Sequence, residues 1–247
     1  MRAKYPVSAS VPLFVGGVSF GGLVAAHACA RGGAYGLKFA GCVMVAPCCD
    51  VEWTPALKFQ ASIGAFLAKV APNFRGAAAV TPERLSADAA AVAAYRADPL
   101  VRVANVRFLA AVEIMKGFEA LREDAFYDAE HFGDTPLLVM HGTDDKACFF
   151  PASEAFVRRV RGKDKTFVPV TGGSHLLMHD AATAARAREE VCAFVSRLVR
   201  RADDTPAKAG STRAELTHTK ARRGGRGGTS SGVAVTEAAE TDIGSRL

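Results

Sequence analysis

One segment restricts this chain more than any other. From Leu13 to Ala30 it reads LFVGGVSFGGLVAAHACA. The apolar run suits a strand buried on both faces. It meets Gly17-Val18-Ser19-Phe20-Gly21, and a run of small residues with helical character follows until Gly32-Gly33. A strand that turns this sharply into a helix forces a close crossing. Glycines leave room for it, and the serine between them is pushed outward. The pattern predicts a strand over 11–17, a helix over 20–31 and, since a strand buried on both faces needs neighbours, a sheet around it.

The remaining pattern supplies them. Lys38–Pro47, Thr135–Gly142 and Lys165–Gly173 read as further buried strands, with Pro169 placing the last at an edge. Pro151–Arg161 and Ala181–Arg200 read as helices, the first opening on proline. Strands alternating with helices predict an α/β fold, a mostly parallel sheet flanked by helices. Residues 50–131 interrupt this rhythm. They are Ala-rich, with helical spacing and breaks at Pro55, Pro72, Pro82 and Pro99. No strand is expected there, and the segment reads as a helical cap inserted over the strand ends. A domain over 1–200 is thus followed by a tail, 201–247. It is poor in large apolar residues and expected to be disordered.

Composition narrows the function classes. A hydrophobic fraction of 49% is ample for a packed core. No apolar run reaches the roughly 18 residues of a membrane span. Six cysteines without a CxxC pair fit reduced thiols better than a disulfide framework. The net charge of +6 lies on scattered arginines and reads as a solvated surface, not a nucleic-acid interface. The two RGG units of the tail lack interleaved aromatics for stacking.

A hydroxyl is a poor nucleophile near neutral pH. It needs a base within hydrogen-bond reach, and the base needs an orienting carboxylate. Ser19 has the setting of such a nucleophile. Asp144 and Asp145 follow the third strand, and His175 follows the fourth, so all three groups fall at carboxyl ends of parallel strands. His179 is an alternative base four residues on. His27 reads as a packing histidine within the first helix, and His141 lies at a strand end just before the acids. A metal site at His175 and His179 lacks the glutamate of HExxH.

With these residues in place, the chain resembles the monoacylglycerol lipase group of the α/β-hydrolase fold, the serine aminopeptidase-like hydrolases. The similarity lies in PLFVGGVSFGG, AGCVMVAPCCD, YRADPLV, TPLLVMHGTDDKAC and GGSHLLMHD, over about residues 11–198. The resemblance implies Ser19, Asp145 and His175 as the catalytic residues. The acid closes the Gly-x-x-Asp pattern of Gly142-Thr143-Asp144-Asp145. The backbone N–H of Phe20 becomes one oxyanion donor. It also implies a lipid ester substrate, monoacylglycerol or lysophospholipid, and no cofactor or metal. Cys148 would lie near the site, as an inert thiol if buried.

Two departures stand out. Val18 occupies a position usually held by histidine, and nothing before Ser19 corresponds to the early HG-containing loop that supplies the second oxyanion donor. On this reading the fold is N-terminally incomplete, its first strand an exposed edge. The chain is then either an active hydrolase when complete, or an impaired fragment or non-catalytic binding protein on a hydrolase scaffold.

In the cap, Leu57, Phe59, Ile63, Phe66 and Leu67 form an apolar stripe. It is expected either to pack on the domain beneath or to line an acyl-chain tunnel with a face left for peripheral membrane contact. Ser245-Arg246-Leu247 is a variant of the S-K-L address and predicts a peroxisomal import receptor as partner. Cytoplasmic or peripheral-membrane placement is the alternative.

Overall fold

A computed structural model describes residues 11–128, 132–133 and 135–203. The opening segment folds as a strand, β1 (Phe14–Val18), leading through Ser19 into a helix, α1 (Phe20–Arg31). Three more strands follow: β2 (Gly41–Val45), then β5 (Leu137–Gly142) and β6 (Lys165–Val170), with β3 and β4 in the insertion between. The sheet order is β1-β2-β5-β6, every pair parallel. Val18 pairs Val45, Val45 pairs Met140, and Gly142 pairs Val170, so the carboxyl ends lie on one side of the molecule. Among the described residues, β1 and β6 are the edges. Pro169 sits in β6, where a missing N–H costs no outer ladder bond.

Alternation along β5 divides the core between the two faces. Leu137 and Val139 join Leu23, Ala26, Phe118, Phe132 and Phe156 on one side. Leu138 and Met140 join Leu177, Phe194 and Leu198 on the other. The first layer is built by α1, part of the insertion and α6 (Phe150–Arg159). The second is built by α7 (Ala184–Asp203), whose Ala187, Val191, Phe194 and Leu198 recur at helical spacing. α7 runs past the expected end at Arg200. Residues 204–247 lie outside the described residues, and with them the expected disordered tail and Ser245-Arg246-Leu247.

The insertion contains α2 (Pro55–Val70), β3 (Arg75–Ala77), α3 (Ala89–Ala97), β4 (Val106–Arg107), α4 (Phe108–Arg122) and α5 (Asp124–Tyr127). The antiparallel β3–β4 pair corrects the expectation of a strandless segment. Strands of three and two residues are too short to show alternation. α2 begins at Thr54, whose hydroxyl accepts from Leu57 N–H at 3.2 Å, with Pro55 in its first turn. It packs along α4. Among the described residues, no helix is long and apolar enough to cross a membrane.

Candidate active site

Ser19 occupies the turn with φ 56° and ψ −124°, a conformation costly for a residue bearing a Cβ. The crossing explains the neighbouring glycines. A Cβ on Gly17 would lie 2.1 Å from the Gly21 backbone. The turn is tied down on several sides. Ser19 N–H donates to Val45 O at 3.1 Å, and Ser19 O accepts from Gly22 and Cys48 N–H at 2.9 Å. Phe20 is the first residue of α1, so its N–H has no intrahelical acceptor and is left for a ligand oxygen.

The acid and base come from two loops stapled to each other. Thr143 N–H donates to Val170 O and Asp144 N–H to Gly173 O, both at 3.0 Å, and Gly172 N–H donates to Thr143 Oγ1 at 2.9 Å. This approach requires glycine at 142, where a Cβ would lie 2.1 Å from Gly173 O. Asp145 then faces His175, with Nδ1 donating to Oδ2 at 2.8 Å. Asp145 Oδ1 accepts the N–H groups of Ala147 and Cys148 at 2.7 and 2.9 Å. Its neighbour Asp144 is exposed.

Burial alone would raise the Asp145 pKa, but contacts with His141, then with His175 and the Cys148 N–H, hold it well below the usual carboxylate range. For His175, burial acts to lower the pKa. The Asp145 carboxylate and then Cys148 outweigh it and raise the ring to about 9.

Ser19 and His175 line one cavity of about 960 Å³. In the resting arrangement the Ser19 hydroxyl lies 3.7 Å from Cys148 Sγ. Contact with Cys48 and burial push the Cys148 thiol far up, so it stays protonated and inert. All six cysteines are free thiols. Asp145, Cys148 and His175 do offer donor atoms within 4.8 Å of one another. The Asp145 oxygens are already engaged by Ala147, Cys148 and His175, which suits a triad better than a cation.

The sequence pointed elsewhere for the cavity walls. The cleft over Ser19 is lined by Ala79, Val80, Tyr95, Arg102 and other residues of 79–106, not by α2. Leu57 lies on a second cavity of about 660 Å³, beside Asp145 and Cys148. Phe59, Ile63 and Phe66 turn outward, and Leu67 is half-buried. His179 is exposed on the wall of the larger cleft. His27 packs as expected, its Nε2 3.1 Å from Gly117 O and its ring edge-on to Phe126.

Two supports leave no local trace in the sequence. Buried Asp180 accepts from Ser86 of the cap at 2.7 Å and from Ser174, beside His175, while Leu176 N–H donates to Leu85 O. The histidine loop and the cap are therefore bound together. The other support is His141.

A parallel sheet that carries a serine on a strand–helix elbow, with an acid and a paired histidine after two later strands, defines an α/β-hydrolase. The chain belongs to the serine aminopeptidase S33 family, whose profile matches residues 1–182. An uncharacterized abhydrolase domain-containing protein of Dictyostelium discoideum is 33% identical over 165 residues, 63% of this chain and 16% of that protein. A putative monoglyceride lipase of Schizosaccharomyces pombe is 28% identical over 170 residues, 68% of this chain and 43% of the relative.

Among solved structures, monoglyceride lipase from Saccharomyces cerevisiae, a soluble variant with a substrate analog, superposes with TM-score 0.66 and 20% identity. The match covers 80% of this chain and 64% of that one. Monoacylglycerol lipase of Paleococcus ferrophilus gives 0.64 and 23%, covering 76% and 68%. The chain thus spans under half the length of these two curated relatives, and about two thirds of these structural neighbours.

Proposed function

We propose that this chain is a serine hydrolase of lipid carboxylic esters, monoacylglycerols or lysophospholipids, acting through an acyl-enzyme. One observation carries the reading. Ser19 is held outward on its elbow in a largely apolar cleft, which it shares with a histidine already paired to a buried carboxylate.

In this mechanism the Ser19 hydroxyl rotates from Cys148 toward His175 Nε2, which takes its proton as Oγ attacks the ester carbonyl. Asp145 holds the ring and stabilises the imidazolium. The Phe20 N–H meets the developing oxyanion. Collapse expels the alcohol, which takes the proton from His175. Water, activated by the same ring, then releases the fatty acid and frees Ser19.

The apolar wall at Val80, Leu85, Val101 and Val103 suits an acyl chain. Tyr95, Asp98, Arg102 and His179 supply the polar contacts a head group needs. The outward face of α2, with Phe59, Ile63, Phe66 and Val70, suits peripheral contact with a lipid surface.

A second reading, a scaffold that binds lipid but turns it over poorly, is favoured by one observation. Among the described residues, β1 is an edge strand and the elbow supplies the Phe20 N–H alone. Losing one oxyanion donor costs on the order of 10²–10³ in turnover. A fluorophosphonate probe and a monoacylglycerol substrate separate the readings. The hydrolase labels at Ser19 and releases fatty acid. The scaffold binds lipid without labelling, and that result would remove the proposed function.

A further inference from the structure

His141, the residue before Gly142, is fully buried and takes no part in the triad mechanism. Its Nδ1 lies 2.7 Å from Ser153 Oγ on α6. Its Nε2 lies 3.0 Å from Asp145 Oδ2, the oxygen that already accepts from His175 Nδ1. The approach is at hydrogen-bond distance but off axis. Nε2 is the buried polar side-chain atom left without an aligned partner among the described residues. A short reorientation of the ring would align it.

The proton inventory settles which atom donates. Asp145 is acceptor-only when ionised, so a bare Nε2 lone pair 3.0 Å from Oδ2 would be repulsive. Ser153 Oγ can give its one proton to Nδ1, or give it to Pro47 O, 3.3 Å away, or Cys49 Sγ, 3.8 Å away, and accept from Nδ1–H. The first choice leaves the singly protonated ring with its hydrogen on Nε2. The second requires hydrogens on both nitrogens, because the carboxylate excludes a bare Nε2. Either way Nε2 carries a hydrogen that a short turn of the ring brings onto Asp145 Oδ2. Phe150 packs edge-on against the ring, the two centroids 5.5 Å apart.

We propose that His141 is a positioning residue for the catalytic carboxylate: its Nε2–H is a second donor to Asp145 Oδ2, and Ser153 fixes the ring that presents it. Four donors then hold the two oxygens: Ala147 and Cys148 N–H on Oδ1, His175 and His141 on Oδ2. The titratable groups facing Asp145 are His141 from β5, His175 from the loop after β6 and the Cys148 thiol of its own loop. Sharing Oδ2 does two things. It fixes the carboxylate plane against His175. It also draws electron density from the oxygen that pairs with the His175 ring, so the ring gives up its proton more readily than it would against an unshared carboxylate.

The inference rests on the proposed triad, and the test separates the two. On the full chain, the second-order rate of Ser19 labelling by a fluorophosphonate is measured against pH for wild type and for His141→Phe, His141→Gln and Ser153→Ala. His141→Phe keeps the bulk and removes the donor. Its half-rise should move to higher pH by about 0.5–1 unit, which lowers the rate below that limb about 3- to 10-fold. His141→Gln restores an amide N–H near the Nε2 position and should return the half-rise to the wild-type value. Ser153→Ala should fall between.

A uniform fall at every pH with an unmoved half-rise, or a Gln variant that behaves as Phe, overturns the proposal. Should His141→Phe not fold, ¹⁵N spectra of histidine-labelled wild-type chain decide, with the His141 resonance identified by its loss in His141→Gln. A protonated Nε2 supports the proposal, and an unprotonated one ends it. The spectrum does not depend on hydrolysis, so absent labelling of wild type counts against the triad reading and leaves the His141 question to the ¹⁵N result.

Discussion

The sheet with its flanking helices and the insertion between β2 and β5 are packed in opposite ways. All six residues of β5 are buried. α2 and α3 bury none fully, and α4 buries only Phe118 and Leu121. Large apolar side chains in the insertion stand in solvent, with Phe59 at 68% and Phe66 at 63% exposed. The proposed catalytic groups follow strands of one parallel sheet, Asp145 after the fully buried β5, Ser19 and His175 after its half-buried edge strands β1 and β6, while the walls of the cleft come mostly from the loosely packed insertion. Chemistry demands sub-ångström placement, and close-packed strands resist displacement. Accommodating the acyl chain of the proposed substrate would demand movement, and poorly buried segments open at low free-energy cost.

The sharpest break in this comparison would be catalysis surviving damage at the strand ends. Ser19→Ala should abolish labelling and hydrolysis of a p-nitrophenyl ester, and retained hydrolysis by the purified variant would displace Ser19 as nucleophile. Asp145→Asn should lower turnover by up to about 10⁴-fold. Asp144→Asn, at an exposed side chain, should leave it near wild type; the reverse order would move the acid by one residue.

Stability should divide along the same line. Leu138→Ala in β5 should cost about 2–5 kcal/mol by denaturant titration. Equal losses from Leu138→Ala and an exposed cap substitution would erase the contrast.

A smaller effect concerns pH. Catalysis needs the His175 ring free of its second proton, and that ring is held at about 9. The rise of kcat/KM should therefore lie above the ordinary histidine value of about 6.5. A rise at or below that value would mean the Asp145 pairing is weaker than its geometry implies. For folding, the His175 contribution is complete below about 6.5 and is lost as pH rises through about 9. The Asp145 contribution is complete above about 3.8 and is lost as pH falls toward its depressed value.

The smallest effect is expected on the cap surface. Phe66→Ser should change stability by no more than about 0.5 kcal/mol. It should weaken sedimentation with lipid vesicles; unchanged sedimentation would remove α2 as a membrane face.

What could be read from the sequence follows the same physical division. The bounds of α1 are legible because its start and stop are local: a crossing of glycines at one end and Gly32 at the other. Their places after apolar runs mark Ser19, His175 and the pair Asp144–Asp145, the resemblance selects Asp145 from that pair, and the structure brings Asp145 and His175 into contact and puts Ser19 in the same cleft as His175. The tie between Ser86 and Asp180 spans 94 residues and leaves no periodic trace. His141 was placed at a strand end, but its contact with Asp145 depends on how the chain turns after Gly142. The cleft walls of 79–106 carry no wide apolar stripe of the kind α2 shows, and YRADPLV within them stands out only through the resemblance. The α2 stripe misled for the converse reason: helical spacing reveals a face but not what lies against it.

Ala79 and Val80 border both the cleft over Ser19 and the cavity beside Cys148. These two side chains are thus shared walls of two compartments, one bordered by Ser19 and His175, the other by Asp145 and Cys148. Exchanging one for a larger residue would re-apportion the space available to the two halves of a bound molecule without moving a reacting atom.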